Sequence, residues 1–247
     1  MKISIYSFIL LFCIGHTSFA QNGAIKVTYL EIRPMPEGVI KEIPEHLRDQ
    51  VLPALKKKYQ KQMTLIIDGV KSSYYEEESI GKRPNGNVNI VTSDAKGSTS
   101  VVFKNLTEKT QMTQYELGGK KFLVNKTLPT IPWEVLKEKK DIGKYTAQKA
   151  IAAIDGSVVT AWYTNAFPIS TGPDNLWGLP GLILEVNFED NSSVIAREVV
   201  LNTEIKLRKP RKGKQVTDEE FQKLKNTYAE NLREMYGDKE GTTIIDN

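Results

Sequence analysis

Cysteine and histidine are almost absent from the sequence, and their scarcity excludes several kinds of site. Cys13 is the single cysteine, and His16 and His46 are the two histidines. One thiol cannot form an intramolecular disulfide or a thiolate cluster, and two imidazoles do not make a histidine cluster for zinc or copper. His46, on the polar start of a predicted helix, gives no serine a Ser-His-Asp partnership. We therefore predict no metal site and no cofactor, and we assign no catalytic residue.

The N-terminal segment has the features of a cleaved export signal. After a short basic start, an apolar core spans residues 3–14, and Ser18-Phe19-Ala20 forms a small-x-small cleavage site. The core is shorter than the roughly 20 residues of a membrane span. The bulky Phe12 before Cys13 argues against a lipid anchor on this cysteine. We expect removal of residues 1–20 and export to the periplasm, the outer membrane or the outside of the cell.

Length and charge indicate one domain without a nucleic-acid partner. Removal of the signal from the 247-residue chain leaves 227 residues, with 33 basic and 30 acidic side chains. This length fits a single β-rich domain over 21–247. The small net positive charge does not indicate a nucleic acid as partner. Glycine and proline are spread along the chain, and no internal repeat is visible.

Short runs rich in Val, Ile, Tyr, Phe and Thr predict ten strands. In the first run, Ile25, Val27 and Tyr29 alternate with polar residues, as in a half-buried strand. The predicted strands are 24–32, 61–68, 70–78, 98–106, 108–117, 120–126, 144–154, 157–164, 181–188 and 193–205. The predicted hairpin turns lie at Asp68-Gly69, Gly118-Gly119, Asp155-Gly156 and 189–192. The pattern indicates a mainly β fold, a curved antiparallel meander (half-barrel or sandwich-like) with two packed helices.

Two segments have helical periodicity. Residues 44–62 carry apolar side chains at helical spacing, although Pro53 is expected to kink or end the first part of this helix. The second predicted helix, 217–237, begins with Thr217 as N-cap and Glu220 as its capping-box partner. Its apolar stripe, which should lie on the sheet, consists of Phe221, Leu224, Tyr228, Leu232 and Met235.

The segment GPDNLWGLPGLILEV, residues 172–186, combines glycines, prolines and an apolar run. Its prolines fix their own φ and favour extended geometry in the preceding residues, while its glycines permit positive φ or a close backbone approach. We predict a structural corner that leads into a strand. The residues to which we assign this role are Gly172, Pro173, Gly178, Leu179, Pro180, Gly181, Leu182 and Ile183.

This segment resembles the signature of the GLPGLI family, secreted bacterial proteins named for the string at residues 178–183. The segment KKDIGKYTAQKA, 139–150, is similar to the family's lysine-isoleucine-glycine-tyrosine segment, and VVTAWYT precedes the motif. Ala147 stands where many relatives have a cysteine before a lysine-alanine pair, so a function that needs this thiol is not expected here. The resemblance implies export and a family of unknown function.

Four aromatic residues near the motif are candidate ligand contacts: Trp177, Trp162, Phe167 and Tyr163. They can stack on a sugar or hold an acyl chain, or they can fill the end of a curved sheet as core residues. Trp177, in a turn between polar and glycine neighbours, is the first candidate for ligand contact. Trp133 is expected to lie at a distance from them.

Carboxylates offer a second class of function, because two of them suffice for a glycosidase. Asp174 lies in the motif, Glu185 follows it, and Glu76-Glu77-Glu78 form a cluster. Alternatively, Glu185 is the outward position of a strand, and the glutamate cluster is a solvated edge that prevents aggregation. Calcium sites at DGSVVT or EDNS lack the regular oxygen-ligand spacing of a calcium loop.

A basic segment precedes the last predicted helix, and 206–216 is predicted to be a connector. It can meet anionic lipid headgroups or phosphates, or it can simply be a flexible link. Its basic residues are Lys206, Arg208, Lys209, Arg211, Lys212 and Lys214.

These observations favour an exported, non-enzymatic binding or accessory protein of the cell envelope, for a hydrophobic ligand or a protein partner. The alternatives are a carboxylate-based hydrolase of cell-wall or glycan substrates and a purely structural accessory domain. A curved sheet over helices is similar to the open half-barrel of periplasmic lipoprotein carriers, a comparison that depends on the fold alone.

Overall fold

The computed structural model describes residues 23–41, 43–76 and 98–236, and the expected signal at 1–20 lies outside this part. The strands are β1 (Ala24–Ile32), β2 (Gln60–Asp68), β3 (Lys71–Glu76), β4 (Ser98–Asn105), β5 (Thr110–Leu117), β6 (Lys120–Thr127), β7 (Glu134–Ile142), β8 (Tyr145–Ile154), β9 (Ser157–Thr164), β10 (Leu182–Phe188), β11 (Ser193–Thr203) and β12 (Lys214–Val216). The α-helices are α1 (Glu37–Lys41), α2 (Arg48–Lys58) and α3 (Asp218–Tyr236), and a 3₁₀ turn, Glu45–Leu47, precedes α2. None of these helices is long and apolar enough to cross a membrane.

The twelve strands form one open sheet in the order β12-β6-β5-β4-β3-β2-β1-β11-β10-β9-β8-β7. Two antiparallel meanders, β1–β6 and β7–β11, are joined because β1 pairs with both β2 and β11. Val27 shows this junction, since its Cα partners are Leu65 on one side and Val199 on the other. The short β12 is parallel to β6. The predicted mainly β, antiparallel fold with two longer helices is confirmed.

One face of the sheet carries most of the core, and we call it the covered face. Its central residues come from adjacent strands and alternate with residues of the opposite face. Val27, Leu65, Tyr74 and Val102 lie on it in register and are at most 4% exposed. The connection between β9 and β10, which we call the motif loop (165–181), packs against this face through Phe167 and its neighbours.

All ten predicted strands are present with ends that differ by a few residues, but the structure adds β7 and β12. The sequence of β7, EVLKEKKDI, lacks apolar alternation because it is an edge strand whose side chains are mostly exposed. The three residues of β12 are too few to show a period. This strand lies within the segment predicted to be a connector, 206–216, so the connector is shorter than expected.

The helices differ from prediction at their ends. The predicted helix 44–62 is too long, because α2 ends at Lys58 and Gln60 already pairs with Ile32 at the start of β2. The short α1 was not expected. At the start of α3, the Thr217 amide donates to Glu220 Oε2 at 2.9 Å and the Glu220 amide donates to Thr217 Oγ1 at 3.1 Å, which is a complete capping box.

The apolar stripe of α3 packs on the sheet only in part. Phe221 is buried, stacks on Tyr115 with ring centroids 4.3 Å apart and also contacts Phe122. Leu224 and Met235, predicted to belong to the same stripe, are 38% and 73% exposed. The helix is therefore attached mainly through its first half, at the β5–β6 edge of the covered face.

Candidate functional site

The motif loop closes over the covered face and returns to the sheet at β10. The Leu182 amide donates to the Phe167 carbonyl at 3.1 Å, and the Ile183 amide donates to the Thr171 carbonyl at 3.0 Å. Thr171 and Trp177 form an isolated antiparallel bridge. These bonds fold the loop on itself before the strand begins.

A lysine that the sequence analysis did not identify holds this loop to the sheet. Lys104 on β4 is fully buried, and its ammonium donates to the carbonyl oxygens of Gly172 at 2.8 Å, Asp174 at 2.8 Å and Leu176 at 3.0 Å. An ammonium has three protons, so three carbonyls satisfy it completely. Lys104 thus fixes the path of the motif from strand β4.

The environment of Lys104 opposes its charge even though its protons are paired. Burial lowers the pKa of this ammonium to about 7, and the negative charge of Asp174 partly offsets the effect. Beside it, the side-chain amide of Gln111 on β5 donates to Asn175 Oδ1 at 2.6 Å and to Thr113 Oγ1 at 2.8 Å. Among the described residues, no hydrogen-bond partner is found for the buried Gln111 Oε1.

The glycines of the motif are required for different structural reasons. Gly178 has φ +98°, where any other residue is strained. Gly181 has no such φ, but a Cβ on it would lie 2.2 Å from the Thr164 carbonyl oxygen. A Cβ on Gly172 would lie 2.7 Å from Ile183 Cβ. Among the other motif residues, Pro173, Leu179, Leu182 and Ile183 are buried and Pro180 is exposed.

The four candidate ligand-contact rings lie in four different environments. Tyr163 and Phe167 are 3% and 4% exposed within separate core clusters. Trp162 lies on the opposite face, with Lys140 Nζ 4.4 Å from its ring centroid. Trp177 is half-buried in the motif loop and donates its indole N–H to the Pro129 carbonyl at 2.7 Å. The described residues therefore do not bring these rings into one pocket, and their role in ligand binding stays a prediction.

Two further observations concern these aromatic residues. The indole of Trp133 donates to the Trp177 carbonyl at 2.8 Å, so the expectation that Trp133 lies at a distance from the motif is wrong. An open recess of about 340 Å³ borders Tyr163 together with Tyr145, Ala147 and Ala166. Of the four candidate rings, its described lining contains Tyr163 alone.

The candidate carboxylates are also separated. Glu185 lies on the opposite face, where its Oε1 accepts hydrogen bonds from Lys140 at 2.6 Å and Asn187 at 2.8 Å. Asp174 lies in the motif loop, above the covered face. Glu76 pairs with Lys61 at 3.3 Å, whereas Glu77 and Glu78 lie outside the described residues. The sheet thus separates Asp174 from Glu185.

The basic segment is packed across the opposite face, and we call residues 206–214 the basic strap. Its Leu207 joins a core cluster with Tyr75. The Arg208 guanidinium lies 3.9 Å from the Tyr75 ring centroid, and the Arg208 carbonyl accepts a hydrogen bond from Ser73 Oγ at 2.9 Å. Lys209 Nζ lies 5.4 Å from the Phe103 ring centroid.

The end of the basic strap is fixed to β6. Gly213 has φ +141°, and a Cβ on it would lie 2.9 Å from the backbone of Lys121, so the strap passes close to the sheet there. Pro210 is buried, whereas all six basic residues of the strap are exposed. The strap therefore presents its positive charges from a defined backbone.

Comparisons with known proteins give a partial family match and a fold. Residues 152–185 match the model of a family described as "Protein of unknown function (Porph_ging)", which covers β9, the motif loop and the first residues of β10. The comparison with curated proteins gave no match.

Two solved structures of PNGF-II, in different space groups, resemble this chain with TM-scores of 0.56 and 0.55 at 16% and 15% identity. Each match covers 83% of this chain but only 34% or 33% of the PNGF-II chain, so this chain spans about a third of the length of PNGF-II. The likeness shows the fold.

Proposed function

We propose that the chain is an exported, non-enzymatic binding or accessory protein of the cell envelope and a member of the GLPGLI family. In this proposal it binds an anionic lipid surface through the basic strap. The observation that carries this proposal is the contact of Arg208 with Tyr75, which holds a run of exposed cations on the sheet. The match to a family of unknown function over 152–185 and the motif support the family proposal.

The proposed lipid contact depends on positive charges that the fold holds in fixed positions. A flexible segment loses conformational entropy when it binds, and a segment already packed on a sheet loses less. Each Lys or Arg close to an anionic membrane contributes about 1 kcal/mol, which falls off within a Debye length. Six exposed cations are enough for measurable, salt-sensitive binding.

Co-sedimentation with phosphatidylcholine vesicles, with and without phosphatidylglycerol, tests this proposal. We expect the protein to bind only the anionic vesicles and to be released by salt. Reversal of four strap charges, Lys206→Glu, Arg211→Glu, Lys212→Glu and Lys214→Glu, should abolish binding.

The matched control makes the same change of net charge at exposed lysines outside the strap: Lys56→Glu, Lys57→Glu, Lys137→Glu and Lys139→Glu. This variant should keep most of the binding. Equal losses in the two variants would mean that net charge alone drives binding, and the strap would then have no specific role.

We also propose that an envelope protein or an apolar small molecule contacts the aromatic residues near the motif. The half-buried Trp177 ring and the recess beside Tyr163 support this part of the proposal. Trp162 lies on the opposite face of the sheet and Phe167 is buried in the core, so a ligand at Trp177 would not reach all four rings. The test is the fluorescence titration described in the Discussion.

A further inference from the structure

An open recess of about 340 Å³ lies between neighbouring ends of β8 and β9. These two strands pair from Gln148, opposite Tyr163, toward their shared turn. On the other side of this pair, residues 145–147 are paired with β7, whereas Thr164 is paired with Leu182 on β10. The two strands therefore diverge, and residues on both sides of the divergence line the recess. Its volume is at the small end of the range for ligand pockets, so it suits a small molecule.

Part of the lining is apolar. It includes the aromatic residues Tyr145 and Tyr163 and the alanines Ala147 and Ala166. Tyr145 makes an edge-to-face contact with the buried Phe167, with ring centroids 5.1 Å apart, and this contact fixes its ring. These residues offer aromatic and methyl carbon to the hydrocarbon part of a ligand.

The lining also contains a hydroxyl group with a weak partner. Tyr163 donates to Gln148 Oε1 at 3.5 Å, which is long compared with about 2.7–2.8 Å for a usual O–H···O bond. The side-chain amide of Gln148 donates in turn to the Leu136 carbonyl at 2.7 Å, so its orientation is fixed. A charged ligand oxygen is a stronger acceptor than an amide carbonyl, and the phenol can donate to it instead.

Both charged residues of the lining are cations. Lys139 and Lys144 are exposed, and Lys144 Nζ lies 5.4 Å from the Tyr145 ring centroid. The nearby Asp141 accepts a hydrogen bond from Thr146 Oγ1 at 2.8 Å and does not belong to the lining.

The other lysines of this part of the sheet are neutralised. Lys140 pairs with Glu185 at 2.6 Å, and Lys149 pairs with Glu138 at 3.1 Å. Within the described ranges 23–41, 43–76 and 98–236, the two lysines of the recess form no such ion pair. The recess is therefore a local concentration of positive charge that the protein itself does not balance.

We propose that the recess binds a small organic anion, a carboxylate attached to a short apolar body. The two lysines attract the carboxylate, the phenol of Tyr163 donates to it, and the apolar lining contacts the body. A cationic ligand would meet two ammonium groups without a carboxylate in the lining. The inference rests on the proposed contact with a small molecule near the motif, and it names the charge of that molecule and its position.

The test is a titration of the isotope-labelled full chain, followed by its backbone amide signals, at neutral pH and low salt. The three probes are phenylacetate, phenylacetamide and phenethylamine, which share a phenyl ring and differ in charge. Phenylacetate, at up to about 20 mM, should shift the signals of 144–148 and 163–166 saturably. It should bind at least about threefold more tightly than phenylacetamide, and phenethylamine should bind most weakly.

Lys144→Gln tests the charge of the recess, and Lys137→Gln on β7 is its matched control. Both lysines are exposed, but Lys137 does not line the recess. Lys144→Gln should weaken phenylacetate binding about twofold to fivefold and leave phenylacetamide binding unchanged, because an exposed charge pair contributes about this much. Lys137→Gln should bind both probes as the wild type does.

Ala166→Phe tests the position, because it adds a ring at an exposed alanine of the lining. It should weaken the binding of phenylacetate at least about tenfold by filling the recess. Ala153→Phe, at an exposed alanine of β8 outside the lining, adds the same ring and should have no effect.

The outcomes separate this inference from the proposed function. Equal or tighter binding of phenylacetamide would overturn the anionic ligand but leave the proposed contact with an apolar molecule intact. Wild-type affinity for phenylacetate in Lys144→Gln or in Ala166→Phe would show that the recess is not its site. If no probe shifts the signals of the recess, the inference is overturned, and if palmitate also fails to bind, so is the proposed small-molecule contact.

Discussion

The ammonium of Lys104 lies 2.8 Å from the carbonyl oxygen of Gly172, and this contact joins the middle of the sheet to the first residue of the motif. Two more carbonyls of the same turn complete the arrangement. Burial of this charge costs free energy that its three hydrogen bonds offset only in part, so the site is sensitive to the loss of either side. The motif is therefore held by a strand far from it in sequence.

We expect Lys104→Met to lower the free energy of unfolding by about 2–4 kcal/mol. The substitution keeps a long side chain but leaves three buried carbonyls without donors, each worth about 1–3 kcal/mol, while the cost of burying a charge is removed. Urea denaturation measures the difference. The exposed Lys139→Met is the control and should stay within about 0.5 kcal/mol of the wild type. Equal stability of both variants would show that the carbonyls find other partners.

The pH dependence of stability tests the charge state of Lys104. Its pKa falls from the ordinary 10.5 to about 7 on folding, so between these values the unfolded chain binds a proton that the folded chain does not. The free energy of unfolding should then rise with pH in this window by up to about 1.4 kcal/mol per unit. Relative to Lys104→Met, the wild type should gain stability from pH 7 to 10. A constant difference would show that the three carbonyls keep the pKa of the ammonium near its ordinary value.

Part of this arrangement is visible in the sequence. In VVFKNL, Lys104 is two residues from Val102, and strand alternation places both on the same face. An alternation that puts lysine on the apolar face of a strand is the signal that predicts a buried partner. Its partners could not be predicted, because they are backbone carbonyls of a loop, and every residue type has the same backbone carbonyl.

Strands with clear alternation could be predicted to within a few residues, whereas the edges of the sheet could not. The edge strand β7 is charged along its length, and β12 pairs through only three residues. The separation of Trp162 from Trp177 likewise depends on which face each residue occupies, and the sequence places them close together in the chain. Proximity in sequence is a poor guide to a shared pocket in a sheet.

Substitutions of the motif glycines should distinguish the loss of stability caused by a steric clash from the loss caused by backbone strain. Gly181→Ala places a Cβ 2.2 Å from a backbone oxygen, so we expect a loss of about 1–3 kcal/mol or more. Gly178→Ala has room, since its nearest neighbour is 3.6 Å away, but its φ of +98° should cost about 1–3 kcal/mol. Gly38→Ala, with nothing within 4 Å and an ordinary φ, should be neutral or stabilising. Thermal unfolding of all three variants measures the order of their stabilities. Equal unfolding midpoints would contradict a structural role of the motif.

Trp177 is the residue with which to test an apolar ligand. If its half-buried ring contacts palmitate, tryptophan fluorescence should change saturably, and Trp177→Ala should weaken binding by about 1 kcal/mol. Trp133 is unsuitable as an independent reporter because it donates to the Trp177 carbonyl, whereas Trp162 on the opposite face is suitable. If Trp177→Ala unfolds the protein and palmitate binding by the wild type is undetectable, the ring is structural.

The orientation of the molecule on a membrane tests the proposed lipid contact most directly. In a Cys13→Ser background, which has no other cysteine, a fluorophore is attached at Lys212→Cys in the strap or at Lys139→Cys on β7, at the opposite edge of the sheet. Quenching is then measured with vesicles that contain phosphatidylglycerol and a spin-labelled headgroup lipid. We expect strong quenching at position 212 and little at position 139. Equal quenching at both positions, or stronger quenching at 139, would contradict binding through the basic strap.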